Sequence, residues 1–330
     1  MSKIDFVISW VDGNDKDWLK DKESYLPDNN TDNRKVRYRD WNNLKYWFRG
    51  VEKFAPWVNK IYFVTYGHLP KWLNLDNPKL VIVKHEDYMD KKYLPTFNSI
   101  PIELNIHKIK DLSENFVYFN DDMFLIKDTK PTDFFKNNLP CDSAIINIIS
   151  PTHLDGFDNT LLNNICIINK YFKMRNVIRK NPFKWINLKY GKSFVRSLIL
   201  STWWNFPGFK IFHLPVSYNK STFEKVWDLE SDYLDLISSH KFRDNYNAVN
   251  HFVMQEWQLV TGKFNPRTIK FGKYFDINTN NNELIDTIKN QKYKCICIND
   301  NENIEYNKKI EKEINESFET ILEEKSSFEK

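Results

Sequence analysis

Glycine is scarce in this chain. It supplies 8 of 330 residues, against the roughly 7% usual in proteins, and no Gly-x-Gly occurs anywhere. That excludes the glycine-rich dinucleotide fingerprint and the Walker loop, which need glycine for close backbone approach to phosphate. Any bound nucleotide is therefore held by side chains and metal. Cysteine is rare too: Cys141, Cys166, Cys295 and Cys297 give one Cys-x-Cys and no Cys-x-x-Cys. They are too few for a zinc site or a disulfide framework and read as buried thiols in a reducing compartment. Lysine plus arginine number 48 against 44 acidic residues, a net +4, so no uniform positive field points to a nucleic-acid partner. No apolar run approaches the roughly 18 residues of a membrane span. The start, Met1-Ser2-Lys3-Ile4-Asp5, has no signal-peptide core, and a cytoplasmic location is expected.

What the chain does have is apolar and aromatic residues, 41% and 16%, enough to bury a sizeable core. Residues 4–11 form a β-branched and aromatic run that stops at Asp12-Gly13-Asn14-Asp15, a strand followed by turn residues. Between Arg39 and Phe54 the apolar residues Trp41, Leu44, Trp47, Phe48, Val51 and Phe54 recur at three- and four-residue steps, which predicts a helix packed on a sheet and closed by Pro56. Strands are predicted over 61–65, 80–83, 116–119 and 144–149, with a helix over 97–109. This alternation predicts an α/β, Rossmann-like sheet, mostly parallel with helices on both faces, whose ligands gather at strand ends. The second half reads as mainly helical, with helices over 161–172, 192–200, 246–259 and 303–322, a strand over 293–298 and a polar loop over 278–283. Residues 1–150 are thus the α/β, ligand-binding half, and 151–330 a mainly helical half completing the same domain.

Chemistry concentrates at a few places. Asn120-Asp121-Asp122 holds the only Asp-Asp pair and follows a buried-type strand. Two carboxylates are costly to hold together, and a hard divalent cation, magnesium or manganese carrying a diphosphate, relieves their repulsion. A solvated turn accounts for the same residues equally well taken alone. Asp12 and Asn14 sit at another strand end, with Trp10 offering a ring face for a base. His213, before Leu214-Pro215, is the natural acceptor for a hydroxyl proton at neutral pH, although a lone histidine is more often structural. Arg37, Arg39, Lys71 and Arg243 are cations whose ordinary role is a surface ion pair, with Arg243 the best placed to clamp phosphate oxygens.

Several of these segments together resemble the Stealth family of sugar-1-phosphate transferases. The resemblance rests on Ile4 to Asp15; on Arg37-Tyr38-Arg39-Asp40 through Arg49, Tyr93 to Ser99 and Tyr118 to Phe124; on His213-Leu214-Pro215 with Ser239 to Arg243; and on Cys297-Ile298-Asn299-Asp300 with the closing Lys325 to Glu329. Where many relatives carry Asn-Ser-His, this chain has Asn98-Ser99-Ile100, so no histidine role passes to position 100. The resemblance implies a glycosyltransferase-A-type sheet and transfer of a sugar-1-phosphate from a UDP-sugar to a glycan hydroxyl, with Mg2+ or Mn2+ at Asp121 and Asp122. It further implies catalytic roles for His213, Arg243 and Asp122, and donor contacts from Trp10, Asp12, Asn14, Arg39, Asn98 and Asn120. An ordinary glycosyltransferase and a non-catalytic glycan-binding protein are the competing readings. The aromatic loop at Trp203-Trp204 and the charged C-terminal helix are candidate contacts with a bilayer or a polysaccharide synthase.

Overall fold

The computed structural model describes residues 2–26, 38–152, 156–244, 246–301 and 303–330. Arg37 lies outside them. The strands, in chain order, are β1 (Ile4–Ser9), β2 (Ile61–Thr65), β3 (Leu80–Lys84), β4 (Asn115–Asn120), β5 (Met123–Leu125), β6 (Phe135–Lys136), β7 (Leu139–Asp142), β8 (Val216–Asn219), β9 (Asn265–Pro266), β10 (Gly272–Asp276) and β11 (Cys295–Asn299). Five make the central sheet, in the order β3-β2-β1-β4-β8. The first four run parallel, and β8 pairs antiparallel with β4. Strand order reverses between β1 and β4. Their carboxyl ends lie side by side, Ser9 opposite Asn120, and such a switch point opens the crevice where α/β sheets bind ligands.

The strands are buried on both faces, which is why they read as continuous apolar runs rather than alternating ones. Residues still alternate in what they face. Phe6, Ile8, Phe63, Val117 and Phe119 enter one core with helix Leu44–Phe54, while Val7, Tyr62, Val64, Phe116 and Tyr118 enter another with helices Ser99–Asn105, Lys220–Ser238 and Phe252–Val260. Period-two alternation thus builds a three-layer α/β sandwich. Gly50 lets helix Leu44–Phe54 settle onto β5: a Cβ there would lie 2.6 Å from the Leu125 carbonyl oxygen.

Several expectations need correction. Residues 144–149 are not a strand. Ala144, Ile145 and Ile146 are buried because they pack in the helical layer's core, and Ile148 is exposed. The segment is tied to residues 207–210 by an isolated bridge, Ile146 to Phe209, and a few backbone hydrogen bonds rather than by a strand ladder. The 19-residue helix Lys220–Ser238 and the helix Lys16–Ser24, capped by Asp15, were not anticipated. The polar tract 278–283 runs into helix Asn282–Lys289. Cys166 is exposed, whereas the other three cysteines are buried. The second half also contributes sheet: β8 completes the central one, and β10 and β11 join β5 in a second, order β10-β11-β5.

The C-terminal residues are bound to the first half. Helix Lys308–Glu319 turns Ile310, Ile314 and Phe318 into the core, where Phe318 stacks on Tyr46 with ring centroids 5.2 Å apart. Its apolar side is spent on packing, not on a bilayer. Arg49 reaches the tail through a two-point ion pair with Glu329, at 2.7 and 2.8 Å, and both side chains are under 10% exposed. The paired guanidinium holds the Glu329 carboxyl below its ordinary range against the opposing effect of burial. Removing one partner of a buried pair leaves an uncompensated charge and costs about 3–5 kcal/mol, whereas replacing both with apolar groups costs less. Urea denaturation should therefore show Glu329→Leu more destabilised than the Arg49→Leu/Glu329→Leu double variant. The reverse order would mean that the tail's hydrophobic contacts, not this pair, fasten it.

Candidate active site

The crevice is assembled from four elements. Strand β4 ends in Asn120, and Asp121-Asp122 turn the chain into β5. Asp122 is fixed by its backbone, whose carbonyl accepts from the Ile298 N–H at 2.8 Å, so β11 lies alongside and delivers Cys297. The antiparallel register of β8, with Val216 opposite Tyr118, carries the preceding residues back past the end of β4. His213 thereby meets the acidic turn: its Nε2 lies 3.2 Å from Asp122 Oδ2 and 3.5 Å from the Asn120 amide nitrogen. The Cys297 thiol approaches the same Asp122 oxygen, also at 3.2 Å. Asp122, His213 and Cys297 offer ligand atoms within 4.8 Å of one another.

Electrostatics separates the roles of these groups. For His213, burial favours the neutral ring, but the Asp122 carboxylate outweighs it and raises the imidazole above its ordinary value. Burial, then Asp122, push the Cys297 thiol far up, so it keeps its proton and donates to Asp122. Asp121 rises to about 7: surrounding protein is the first cause, followed by Asp122 and Asp40. Its side chain is nevertheless exposed, and water tempers the first cause more than the repulsion by close neighbours. Burial also raises Asp40, with Asp12 adding to it. Four carboxylates therefore share one end of the sheet. The remaining oxygen of Asp122, Oδ1, is buried and has no hydrogen-bond partner. An orphaned carboxylate oxygen beside a second carboxylate fits a hard cation, whereas a protonated thiol does not.

The Asp12 loop is built for rigidity. Asp12 donates its N–H to His68 Nε2 at 2.7 Å, and its Oδ1 accepts from the Asn14 N–H at 2.9 Å. Desolvation lowers the His68 pKa, which keeps the ring neutral and able to accept. Trp10 is half-buried against Phe63 and stands edge-on to His68, centroids 5.4 Å apart. Gly13 sits beneath Tyr38, and a Cβ there would come within 2.2 Å of the Tyr38 carbonyl oxygen. Arg39 is engaged by the C-terminal region: it forms a two-point ion pair with Asp300 at 2.5 and 2.8 Å and donates to the Ile304 carbonyl. Asn98 is buried, and its side chain caps helix Ser99–Asn105.

Arg243 comes to the crevice from the other side. Phe242 stacks on Phe97, centroids 5.4 Å apart, and the Phe97 N–H donates to the Lys241 carbonyl. This locks the two segments together and sets Arg243 3.1 Å from the Ser99 hydroxyl. Beneath them lies Glu103, which the sequence alone did not single out. It is 5% exposed, bonded by Ser99 and Tyr118 and within electrostatic range of Arg243 and His213. Tyr118 hydrogen-bonds in turn to Ser9 at 2.7 Å, and His251 Nε2 lies 3.8 Å from Glu103 Oε2. Burial outweighs all of these and lifts the Glu103 carboxyl to about 7. The period of helix Ser99–Asn105 pointed to a buried position here, but only the fold shows a carboxyl buried among cations and hydroxyls.

A mostly parallel α/β sheet with carboxylates and an imidazole at its switch point places this chain among the α/β proteins that bind ligands at the carboxyl ends of their strands. Among solved structures, the galactosyltransferase LgtC with donor and acceptor sugar analogues is similar, at a TM-score of 0.42 and 8% identity over 96% of each chain; the fold class rests on the strand order itself. Residues 2–30 match conserved region 1 of the Stealth proteins, and residues 37–142 match conserved region 2. The chain is 47% identical over 333 residues to the capsular polysaccharide phosphotransferase WcwK of Streptococcus pneumoniae, covering 100% of this chain and 99% of that one. It is 43% identical over 329 residues to the exopolysaccharide phosphotransferase cps2G of Lactiplantibacillus plantarum, covering 99% and 96%. With the receptor polysaccharide phosphotransferase WefC of Streptococcus oralis it shares 38% identity over 335 residues, covering 100% of both. The chain belongs to the Stealth family and is a phosphotransferase.

The Glu103 pKa carries a consequence for stability. A carboxyl raised to about 7 in the folded state, from 4.5 in the open chain, binds more protons folded than unfolded. Its stabilising contribution is present below pH 4.5 and is lost as pH rises to about 7. Glu103→Gln, which keeps the shape and removes the charge, should therefore melt with the parent at pH 4.5 and several degrees above it at pH 8. Equal melting temperatures at both pH values would show that Arg243 and the hydroxyls fully compensate the charge.

Proposed function

We propose that this phosphotransferase takes a UDP-sugar as donor, moves its sugar-1-phosphate to a hydroxyl of a growing surface polysaccharide, and releases UMP. The relatives' names support a polysaccharide as the acceptor. The observation that carries the donor reading is the juxtaposition of Asp121 and the unpartnered Asp122 Oδ1 with His213 and Arg243 at the β1–β4 switch point. A diphosphate needs positive charge on its oxygens, and this crevice offers carboxylates to hold a cation on one side and a guanidinium on the other. Asp121 and Asp122 would hold Mg2+ or Mn2+, which supplies charge against the pyrophosphate.

The chain's own residues account for the remainder. The acceptor oxygen bonds to the phosphorus that carries the sugar, and the bond from that phosphorus to the bridging pyrophosphate oxygen breaks. UMP departs with the bonding electrons. The hydroxyl's proton passes to Nδ1 of His213, the ring nitrogen that Asp122 does not engage, while Nε2 donates to Asp122, which stabilises the resulting imidazolium. Arg243 neutralises charge on the transferred phosphoryl oxygens. Trp10 offers its ring to the base, and the rigid Asp12-Gly13-Asn14 loop meets the ribose. Asn120 orients the imidazole. Arg39, paired with Asp300, acts by holding the C-terminal segment against the site rather than by touching the donor.

Incubation with a panel of UDP-sugars and acceptor glycan, followed by nucleotide analysis and phosphorus NMR, tests the reading. UMP and a phosphodiester resonance in the glycan are expected, whereas UDP and a phosphorus-free product would assign the protein to ordinary glycosyl transfer. His213→Ala should lower kcat by roughly 10²–10⁴, and a loss within a few-fold would remove it as the base. Because Asp122 raises the His213 pKa, the acidic limb of kcat/KM should lie above the ordinary histidine value near 6.5. It should move down in His213-competent Asp122→Asn.

A further inference from the structure

Charge along this chain is divided unevenly. From Asn159 to Phe223 there is no acidic residue in 65 positions, yet there are 11 lysines and arginines. The rest of the chain then holds 37 basic and 44 acidic residues, so the net +4 conceals one strongly cationic segment on a net-acidic protein. Within that segment the helix Ser193–Leu200 buries Leu200 and packs Phe194 on the core, yet leaves three other aliphatic residues in solvent. Ser197 is buried, its hydroxyl accepting from the Ile146 N–H at 3.0 Å. Val195, Leu198 and Ile199 are exposed, the last by 67%. An ordinary surface helix turns its aliphatic residues inward.

The exposed stripe is continuous with aromatic surface. The helix runs directly into Trp203 and Trp204, which are 50% and 58% exposed. Helix Met174–Lys180 is joined to the same turn: the Met174 N–H donates to the Trp204 carbonyl at 3.0 Å, and the Arg175 guanidinium bonds the Thr202 carbonyl and lies 5.9 Å from the Trp204 ring. Lys192 and Arg196 are exposed on the stripe itself. Among the described residues no helix is long and apolar enough to cross a membrane. Aliphatic and indole side chains interleaved with cations, on a short helix, instead suit a water–lipid interface.

We infer that this face docks the protein peripherally on a bilayer rich in acidic phospholipid, with Val195, Leu198, Ile199, Trp203 and Trp204 entering the headgroup region and the cations meeting lipid phosphates. Charge complementarity selects this occupant. A second copy of the chain would set cations against cations, and a nucleic acid would leave the aliphatic stripe in water. The inference does not depend on the identity of the sugar donor.

Flotation of the full chain with vesicles of pure phosphatidylcholine, and of phosphatidylcholine with about one third phosphatidylglycerol, tests it. Binding is expected to the acidic vesicles alone at about 0.1 M salt, falling roughly tenfold at about 0.5 M as screening shortens the reach of the cations. Lys192→Glu/Arg196→Glu and Ile199→Glu/Trp203→Ser should each lose about tenfold in partitioning while melting with the parent, since all four residues are exposed and outside the active site. Parent protein that stays with neither vesicle overturns the proposal, as does equal partitioning of both double variants. So does a concentration-dependent dimer that Ile199→Glu/Trp203→Ser dissociates without any lipid binding. If the variants fail to fold, the lipid and salt dependence of the parent decides the matter.

Discussion

The two oxygens of Asp122 face different demands, and much of the structure exists to keep them apart. Oδ2 is claimed by His213 and Cys297, while Oδ1 is buried without a partner. A carboxylate left half-satisfied in a partly buried crevice is costly unless something else completes it. Holding it there takes three separate pieces of chain: β4 with its acidic turn, β11 pinned to the Asp122 carbonyl, and the segment before β8 that carries His213. Removing any one would let the carboxylate turn to water. The antiparallel pairing of β8 in a parallel sheet acquires its meaning here, because only a strand running against β4 brings the preceding residue back to the strand's carboxyl end.

Glu103 is the same problem solved one layer deeper. Its carboxyl meets hydroxyls from β4 and helix Ser99–Asn105, an arginine from beyond residue 240 and the imidazole of His251, just before helix Phe252–Val260. Burial drives its pKa up, so around neutrality its charge is only half retained. A group poised in that way adds to Asp122 in favouring the charged form of His213. The site therefore has a mouth rich in carboxylates and a floor whose charge depends on pH, joined through the two cations between them.

These particulars explain what was legible in the residues alone. β2 spans 61–65 as the apolar run indicated and β4 ends at its polar turn, because strands buried on both faces leave a continuous apolar signal, whereas β1 stops at Ser9, short of the run's end at Val11. Motif position singled out Asn120, Asp122 and His213 separately, and the antiparallel return of β8 is what brings them together. Residues 144–149 misled because burial in the helical layer produces the same apolar composition as pairing in a sheet. Helix Lys220–Ser238 was overlooked although Phe223, Val226, Leu234 and Ile237 keep helical spacing; its period is interrupted at Glu230, where the backbone departs from helical values. The contact of Cys297 with Asp122 could not be read, since the two lie 175 residues apart, nor could the approach of Arg243, His213 and His251 to Glu103, each more than a hundred residues from it.

Placement of charge links the fold to the setting in which a polysaccharide is built. The acidic crevice needs cations, yet the chain's densest cationic segment is turned outward, around helix Ser193–Leu200, and is not used to line the site. The acid-free segment contains His213 and is ended by Glu224, so the one histidine of the cationic segment is the one that enters the acidic mouth. Long-range attraction to an anionic surface acts on the cationic face and is screened within a Debye length. In the proposed reaction, attraction for a cation and a diphosphate would act inside the crevice at contact distance. Separating the two on one chain lets the protein hold to a surface without filling its own site with the surface's phosphates.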